Sequence, residues 1–467
     1  MPHLDIQDSI PGRVAFRTIG CKLNQCETAQ MQEAFLAEGY RLVNWEDTAT
    51  IRVINTCTVT AKSDSTCRRQ IRLARRLDPE CIVAVTGCYA QVDPDAIRAI
   101  PGVDLVLGND EKTRLTDHIR AVAARHSAGT GMEPERQEGH SRHLRHLRTT
   151  LGRDTAAHDE FVAAAHGYTR AFLKIQNGCD SHCAYCIIPA ARGPARSMPR
   201  GEVIGQVEHL INREYKEIVL TGINLGSWGH DTQEGELSDL LRFLVAKTNA
   251  VRYRLSSIEP LEVNSALLNT ITASGERIAH HFHLPLQSGS DYILRRMNRP
   301  YSTEDYGCVA REIATRFPDA ALGADVIVGF PGETEEHFME TCRFIETSPL
   351  TYLHVFAYSD RPGTVASGLP AKVHPEVIHE RSLRLRRIGQ DLRTRFQRRI
   401  EGSRQRVLVL RERGLDGRLR GVTGNYAEVL LSGDDTLMNR FVHGILRGRP
   451  HQGRWSLDDF TLEDPLT

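Results

Sequence analysis

Cys179-Asp180-Ser181-His182-Cys183-Ala184-Tyr185-Cys186 decides how this chain reads. The spacing is Cys-x3-Cys-x2-Cys, set just after the apolar run Ala171-Phe172-Leu173-Lys174-Ile175. Thiols this close in sequence reach one centre only if the loop wraps round it. A four-iron, four-sulfur cube has four irons to ligate, so three cysteines leave one iron open to a substrate or cofactor. A purely electron-carrying cluster takes a fourth thiolate. Zinc is the competing occupant, because sites mixing thiolates with imidazole exist and His182 is close by.

Composition sets the bounds. At 467 residues the chain has room for two or three domains. Lys plus Arg and Asp plus Glu are 59 each, so net charge argues neither for nor against nucleic acid. The first twelve residues are polar, so no secretory signal is expected. No apolar run is long enough to span a bilayer. The eleven cysteines are therefore expected to be cytoplasmic thiols and metal ligands rather than disulfides.

Upstream, β-rich runs at 14–19, 52–56, 81–86 and 103–108 alternate with helical spacing at 25–38 and 61–77. That alternation predicts a doubly wound parallel sheet. Cys21, Cys57 and Cys88 each fall just after a strand. In a parallel sheet such ends share one edge, where these folds bind ligands. A second three-cysteine site with an open iron is expected there. Cys81 starts its strand, Cys67 lies mid-helix, and Cys26 sits inside a helix as a weak reserve ligand. With Cys308 and Cys342 these are expected to be small buried hydrophobes.

Downstream, residues 126–164 are rich in Gly, His, Arg and Thr and read as a flexible linker. Strand-like runs then recur at 171–176, 217–221, 252–257, 281–285, 324–329 and 353–358. Six βα units predict a parallel barrel, complete or partial, with its chemistry at the C-terminal strand ends. The cysteine loop follows the first strand and so lies on that rim, as do Gly222, Ser257 and Gln287, with Asp325 inside the fifth strand. Residues 379–406 read as a helix rich in arginine, from Arg381 to Arg406, which in a neutral chain points to a polyanion. Alternating runs at 407–410, 418–423, 426–431 and 440–446 predict a small β-barrel. Arg418, Arg420, Tyr426, Arg440 and Trp455 are its candidate contacts to that polyanion. The expected domains are 13–125, a linker over 126–164, a core over 165–380, a basic helix over 381–403 and a terminal barrel over 404–465.

Cys-x3-Cys-x2-Cys with Tyr185 before the last cysteine resembles the signature of radical S-adenosylmethionine enzymes. Gly20-Cys21-Lys22-Leu23-Asn24-Gln25, Asn55-Thr56-Cys57-Thr58-Val59 and Thr86-Gly87-Cys88-Tyr89-Ala90-Gln91 resemble the three cysteine motifs of the methylthiotransferase family. Gly421-Val422-Thr423-Gly424-Asn425-Tyr426 resembles the TRAM RNA-binding domain. The resemblance covers nearly the whole chain except residues 1–12 and the linker. It implies a six-strand, partial TIM-type radical barrel and two 4Fe-4S clusters, on Cys179/Cys183/Cys186 and on Cys21/Cys57/Cys88. It implies S-adenosylmethionine held on the barrel rim, for which Tyr185, Gly222, Ser257, Gln287 and Asp325 are the candidates.

The family replaces a C–H by C–S–CH3 with two molecules of S-adenosylmethionine. One gives its methyl to sulfur at the second cluster, and the other is cleaved to a radical. The C–H at carbon 2 of adenine is neither acidic nor a leaving group, which suits radical attack on an unstacked base. No side-chain acid or base is assigned.

The stretch 20–27, with 186–193 and 220–226, resembles the branch acting on N6-threonylcarbamoyladenosine at position 37 of tRNA. Asp180 stands where that branch has Asn, and Cys26 where Tyr is commoner. The implied partners are a tRNA anticodon stem-loop and an electron donor that the sequence does not identify. A cytoplasmic monomer without membrane association is expected. The alternatives are N6-isopentenyladenosine in tRNA, a ribosomal-protein aspartate, or a non-catalytic, metal-stabilised RNA-binding protein.

Overall fold

The computed structural model describes residues 12–127, 169–249, 251–451 and 454–463. The expected linker lies outside the described residues beyond Ser127, where a helix Leu115–Ser127 ends. Among the described residues no helix is long and apolar enough to cross a membrane. Contacts divide the chain into two units, Met1–Ile19, Gln30–Thr56 and Thr66–Phe161 in one, and Gly20–Ala29, Cys57–Ser65 and Val162–Thr467 in the other.

The first unit is built on a five-stranded sheet. Its strands are β1 (Arg13–Thr18), β2 (Arg41–Val43), β3 (Ile51–Thr56), β4 (Ile82–Gly87) and β5 (Leu105–Val106). The order is β2-β1-β3-β4-β5 and every pairing is parallel. β3 and β4 are buried along their whole length, as strands covered on both faces must be, and so read as continuous apolar runs. On one face Met31 and Phe35 from helix α1 (Lys22–Ala37) pack with Val14, Ile51 and Val53. On the other, Cys67, Ile71 and Ala74 from α2 (Ala61–Leu77) pack with Ile54, Val83 and Val85. The three-residue edge strand β2 has no sequence signal of its own. β5 is two residues long, shorter than the run at 103–108.

The second unit holds a parallel wall of six strands: β6 (Arg170–Lys174), β9 (Glu217–Thr221), β10 (Arg252–Leu255), β11 (His281–His283), β12 (Ala321–Val328) and β13 (Tyr352–Ala357). β7 (Gln176–Asn177) and β8 (Arg196–Ser197) pair antiparallel beside it. The wall forms as two three-stranded sheets, β10-β9-β6 and β11-β12-β13. A parallel bridge between Tyr253 and Ile278 joins them.

Alternate residues divide the faces. Ala171, Leu173, Ile218, Leu220, Tyr253, Leu255, Phe282, Leu322, Ala324 and Val326 enter one apolar core with helix residues such as Val207, Leu210 and Leu244. The opposite face is polar and concave. The Tyr426 ring lies 5.4 Å from the Arg170 guanidinium, 3.9 Å from that of Arg254 and 4.5 Å from the His281 ring. Side chains from β6, β10 and β11 meet one ring only on a curved wall. Gly323 is required on this face, because a Cβ there would stand 1.9 Å from the Tyr352 ring.

The terminal barrel is closed: β14 (Arg404–Arg413), β15 (Leu419–Thr423), β16 (Glu428–Leu431), β17 (Phe441–His451) and β18 (Arg454–Leu462), in the order β14-β15-β16-β18-β17. Three expectations need correction. The arginine-rich helix runs Pro375–Ile400 and stops before Gly402, whose φ of 77° leaves helical space. Arg404 and Arg406 therefore belong to β14. Trp455 is 2% exposed inside the barrel, and Tyr426 lies under Arg254, so neither is a surface stacking residue.

This barrel docks on the N-terminal strand ends of the wall. Arg252 donates to the carbonyls of Arg406 (3.2 Å) and Val422 (3.0 Å). Arg254 donates to those of Gly424 (2.7 Å) and Thr423 (2.9 Å). Both guanidiniums also bond Glu217, at 2.5 and 3.0 Å, and all three side chains are fully buried. Removing one member of a buried ion cluster leaves uncompensated charge. Glu217→Ala should lower unfolding stability by about 3–5 kcal/mol, read by urea denaturation; a loss under about 1 kcal/mol would place the docking energy elsewhere.

Candidate functional site

The cysteine loop leaves β7 at Gly178, whose φ is 72° and where a Cβ would stand 1.8 Å from the Pro194 carbonyl. Only glycine allows that crossing, and it closes the loop at its base. Cys179 N donates to the Gly193 carbonyl at 3.1 Å. The middle of the loop is fixed by Ala184 N to the Met297 carbonyl (2.9 Å) and Ala366 N to the Ala184 carbonyl (2.7 Å). Asp180 Oδ1 accepts from Ala195 N at 3.1 Å. An Asn there would offer the same oxygen to Ala195 N. His182 is exposed, and its carbonyl accepts from Asn298 Nδ2 at 2.8 Å.

Electrostatics decide what these thiols suit. Burial pushes the Cys179 thiol up and the Cys186 thiol up to about 12. Left to themselves they stay protonated; a bound cation is what makes buried thiolates favourable. Ser181 N donates to Cys179 Sγ at 3.4 Å. Arg299 Nη1 donates to Cys183 Sγ at 3.0 Å, and its other nitrogens reach Glu259 and the Tyr301 hydroxyl. Such donors match thiolate ligands of a cluster. Arg299 carries no sequence signal, because it lies 116 residues from Cys183.

The five rim candidates fall in different places. Tyr185 packs in an apolar cluster with Phe330 and Tyr358, and burial pushes its phenol well above the ordinary range. Gly222 follows β9 against Gln176, with 2.9 Å between a built Cβ and Gln176 Oε1. Ser257 is half-buried after β10. Gln287 sits at φ 62° and bridges to β12, its N donating to the Asp325 carbonyl at 2.8 Å. A non-glycine residue held in that region is strained, a mark of over-determined sites. Asp325 is mid-strand, because β12 begins three residues before the expected run. Its carboxylate accepts from His283 Nε2 (2.8 Å) and His354 Nδ1 (3.2 Å).

Beside the cysteine loop lies a cavity of about 350 Å³ lined by Asp180, Ser181, Asn224, His230 and Glu262 among others. None of the five candidates lines it. Among the described residues, Asn224 Oδ1 at its wall is buried without a hydrogen-bond partner, as is Ser256 Oγ after β10. These orphaned acceptors fit a ligand that carries donors, such as an amino acid ammonium.

Cys21, Cys57 and Cys88 follow three adjacent parallel strands, and the register pairs Thr56 with Gly87, one residue before Cys57 and Cys88. Gly20, φ 118°, lets Cys57 approach: a Cβ there would stand 2.7 Å from Cys57 Cβ. The segment carrying Cys21 is anchored by Arg192, which donates to Asn24 Oδ1 (2.7 Å) and Glu27 Oε1 (2.6 Å). The segment carrying Cys57 is anchored by Arg361, bonded to Thr58 Oγ1 (2.9 Å) and Asp64 Oδ2 (2.6 Å), and by Ala61 N on Ser359 Oγ (2.9 Å). Cys88 opens the short helix α3 (Cys88–Val92), with Asn109 Nδ2 at 4.0 Å from its Sγ. Cys26 is buried with its Sγ on the Phe172 carbonyl at 3.5 Å. Cys67, Cys81 and Cys342 are buried as expected. Cys308 is exposed, a correction, since its helix turns that position outward.

Residues 13–108 match the family described as "Uncharacterized protein family UPF0004", and 173–345 match the radical SAM superfamily. The chain is 37% identical over 433 residues to the threonylcarbamoyladenosine tRNA methylthiotransferase MtaB of Bacillus subtilis, covering 92% of each. It is 39% identical to the protein of that name from Aquifex aeolicus, over 90% of this chain and 97% of that one. It is 31% identical to the tRNA-2-methylthio-N(6)-dimethylallyladenosine synthase of Methylobacillus flagellatus, over 93% and 96%. Among solved structures the radical S-adenosylmethionine methyltransferase TsrM of Kitasatospora setae shares the fold at TM-score 0.53 and 15% identity, covering 76% of this chain and 77% of that one.

Glu262 gives this site a measurable pH signature. Burial, aided by the Glu259 charge, raises its carboxyl from 4.5 to about 7. A raised folded value means that its contribution is present below the ordinary value and is lost as pH rises through about 7. Glu262→Gln should therefore match wild type in acid and melt at a higher temperature at pH 8. Parallel melting profiles across the whole range would contradict this.

Proposed function

The chain belongs to the radical S-adenosylmethionine methylthiotransferases, and on that premise we propose that it converts N6-threonylcarbamoyladenosine beside the tRNA anticodon to its 2-methylthio form. The observation that carries the reading is a shared anchorage. Arg192 ties the Cys21 segment to the base of the Cys179–Cys186 loop, and Arg361 ties the Cys57 segment to the end of β13. Two cysteine-bearing segments are thus fixed against one wall, as a reaction using two sulfur-ligated centres requires. The 37% and 39% identity to two threonylcarbamoyladenosine enzymes, against 31% to the dimethylallyladenosine synthase, supports the branch.

In this reading Cys179, Cys183 and Cys186 hold one 4Fe-4S cluster, and Cys21, Cys57 and Cys88 hold the other. When bound, the clusters and two molecules of S-adenosylmethionine supply a carbon radical and a methylated sulfur. The chain's own residues hold, orient and exclude water. Arg299 donates to the Cys183 sulfur and fixes Glu259. Asn224 and Ser256 offer acceptors at the rim, beside the candidates Gly222, Ser257 and Gln287. Tyr185 packs the loop against Phe330 and Tyr358. An external electron donor, a monomeric state and a cytoplasmic setting complete the proposal.

The anticodon stem-loop would meet the helix Pro375–Ile400, where Arg384, Arg386, Arg387, Arg393, Arg395 and Arg398 are exposed. Arg381 is not available, being bound to Glu333 and Glu335 at 2.9 and 3.0 Å. Replacing Arg387, Arg393 and Arg395 by Ala should weaken tRNA binding and reduce the salt slope by about one per lost phosphate contact. An unchanged slope in a filter-binding titration would move the RNA elsewhere.

The reading is tested by nucleoside mass spectrometry of tRNA from cells lacking the protein. The 2-methylthio form of N6-threonylcarbamoyladenosine should vanish and its parent accumulate. Loss of the isopentenyl product instead would transfer the protein to the other branch.

A further inference from the structure

Apart from the rim candidate Asp325, the polar face of β11–β13 has no part in the chemistry described so far. His281 Nε2 and His283 Nδ1 both bond the Tyr352 hydroxyl, at 2.8 and 3.0 Å. His283 Nε2 and His354 Nδ1 then share Asp325 Oδ1. Burial pushes the Asp325 carboxyl up, but the two imidazole hydrogen bonds outweigh it and hold it at about 2. Asp325 is therefore an acceptor at neutral pH. Its acceptance fixes the proton of His354 on Nδ1, leaving Nε2 for another partner. The His354 side chain is 57% exposed, whereas His283 below it is 8% exposed. A polar chain thus rises from the closed end of the wall and ends at one open imidazole edge.

Position gives that edge a purpose. His354 and Phe356 lie two residues apart on one face of β13, about 7 Å along the strand. Phe356 is 44% exposed, a flat apolar ring at the rim. Just beyond it, Tyr358 packs edge-on to Phe330 in the apolar cluster that also takes Tyr185 of the cysteine loop, and Ser359 and Arg361 hold the Cys57 segment. The inward face of β13 therefore descends from a point between a radical-loop residue and the Cys57 segment. A base brought there can lie on Phe356 with a substituent directed toward His354.

We propose that His354 and the network behind it form the subsite for the N6 substituent of the target adenine, and select a hydrogen-bonding, threonylcarbamoyl-type group over an apolar prenyl one. This rests on the reading of the chain as an adenosine methylthiotransferase. His354 Nε2 accepts from the hydroxyl or urea N–H of such a group in its neutral form, and donates to the carboxylate when protonated. A prenyl group would cover the same nitrogen and leave it unpaired, the situation in which polar sites discriminate most strongly.

The test uses the reconstituted holoenzyme and two anticodon stem-loop hairpins, one carrying N6-threonylcarbamoyladenosine and one N6-isopentenyladenosine. His354→Phe keeps the ring and removes the nitrogen. Its ratio of kcat/KM for the two hairpins should shift toward isopentenyl by about tenfold, the effect of one hydrogen bond. His354→Gln, which retains a polar end, should keep the wild-type preference. An active wild type whose ratio does not move in His354→Phe overturns the subsite alone. A wild type that leaves the threonylcarbamoyl hairpin unmodified overturns the substrate reading, and the subsite with it. A stoichiometric divalent ion other than iron, present in wild type and lost in His354→Phe, also overturns it, because His283, Asp325 and His354 would then be metal ligands.

Discussion

Glu217 between Arg252 and Arg254 is the constraint on which the second unit depends. Three ionised side chains are taken out of water at the N-terminal ends of the wall. Such burial is tolerable only when each donor is matched. Glu217 takes part of the guanidinium donors, and the backbone carbonyls of Arg406, Val422, Thr423 and Gly424 take the rest. The terminal barrel is therefore part of the solution to a buried-charge problem rather than a tethered appendage. The cysteine loop lies at the other end of the wall, where it leaves β7 at Gly178.

At that open end, arginines again do the positioning. Arg299, Arg192 and Arg361 each join segments more than a hundred residues apart, and each does so with planar, multidentate geometry suited to carboxylate, amide and sulfur acceptors. Arg299 fixes the Cys183 sulfur and Glu259 together. The other two hold the segments that carry Cys21 and Cys57. A sulfur-based radical reaction needs position and dryness more than it needs acids and bases. Rigid guanidinium anchorage supplies the first. The apolar packing of Tyr185 with Phe330 and Tyr358 contributes to the second.

Much of this was legible in the sequence, for identifiable reasons. β3 and β4 are apolar runs that stop at Cys57 and Cys88, so strand ends and thiols were seen together. Glu217–Thr221 and Ala61–Leu77 were bounded correctly because composition changes sharply at both ends. Periodicity failed where chemistry was continuous across a boundary. The basic pattern runs from Arg398 through Arg406, while the backbone turns at Gly402, so helix and strand merged. Asp325 reads as a strand residue, and no local pattern signals its hydrogen bonds to the His283 and His354 imidazoles. Tyr426 and Trp455 have the composition of RNA contacts, yet one lies under Arg254 and the other fills a barrel. Pairings such as Arg192 with Glu27 have no local signature, since only the tertiary fold brings them together.

The central claim is a division of labour between two cysteine sets, and one measurement addresses it directly. Anaerobically reconstituted Cys183→Ala and Cys57→Ala proteins are each given S-adenosylmethionine and a reductant, and 5′-deoxyadenosine is quantified. The account predicts no 5′-deoxyadenosine from Cys183→Ala, with about half the iron retained, and continued formation from Cys57→Ala without methylthiolated product. Reductive cleavage by Cys183→Ala would contradict it, because the radical would then arise somewhere other than the Cys179–Cys186 loop.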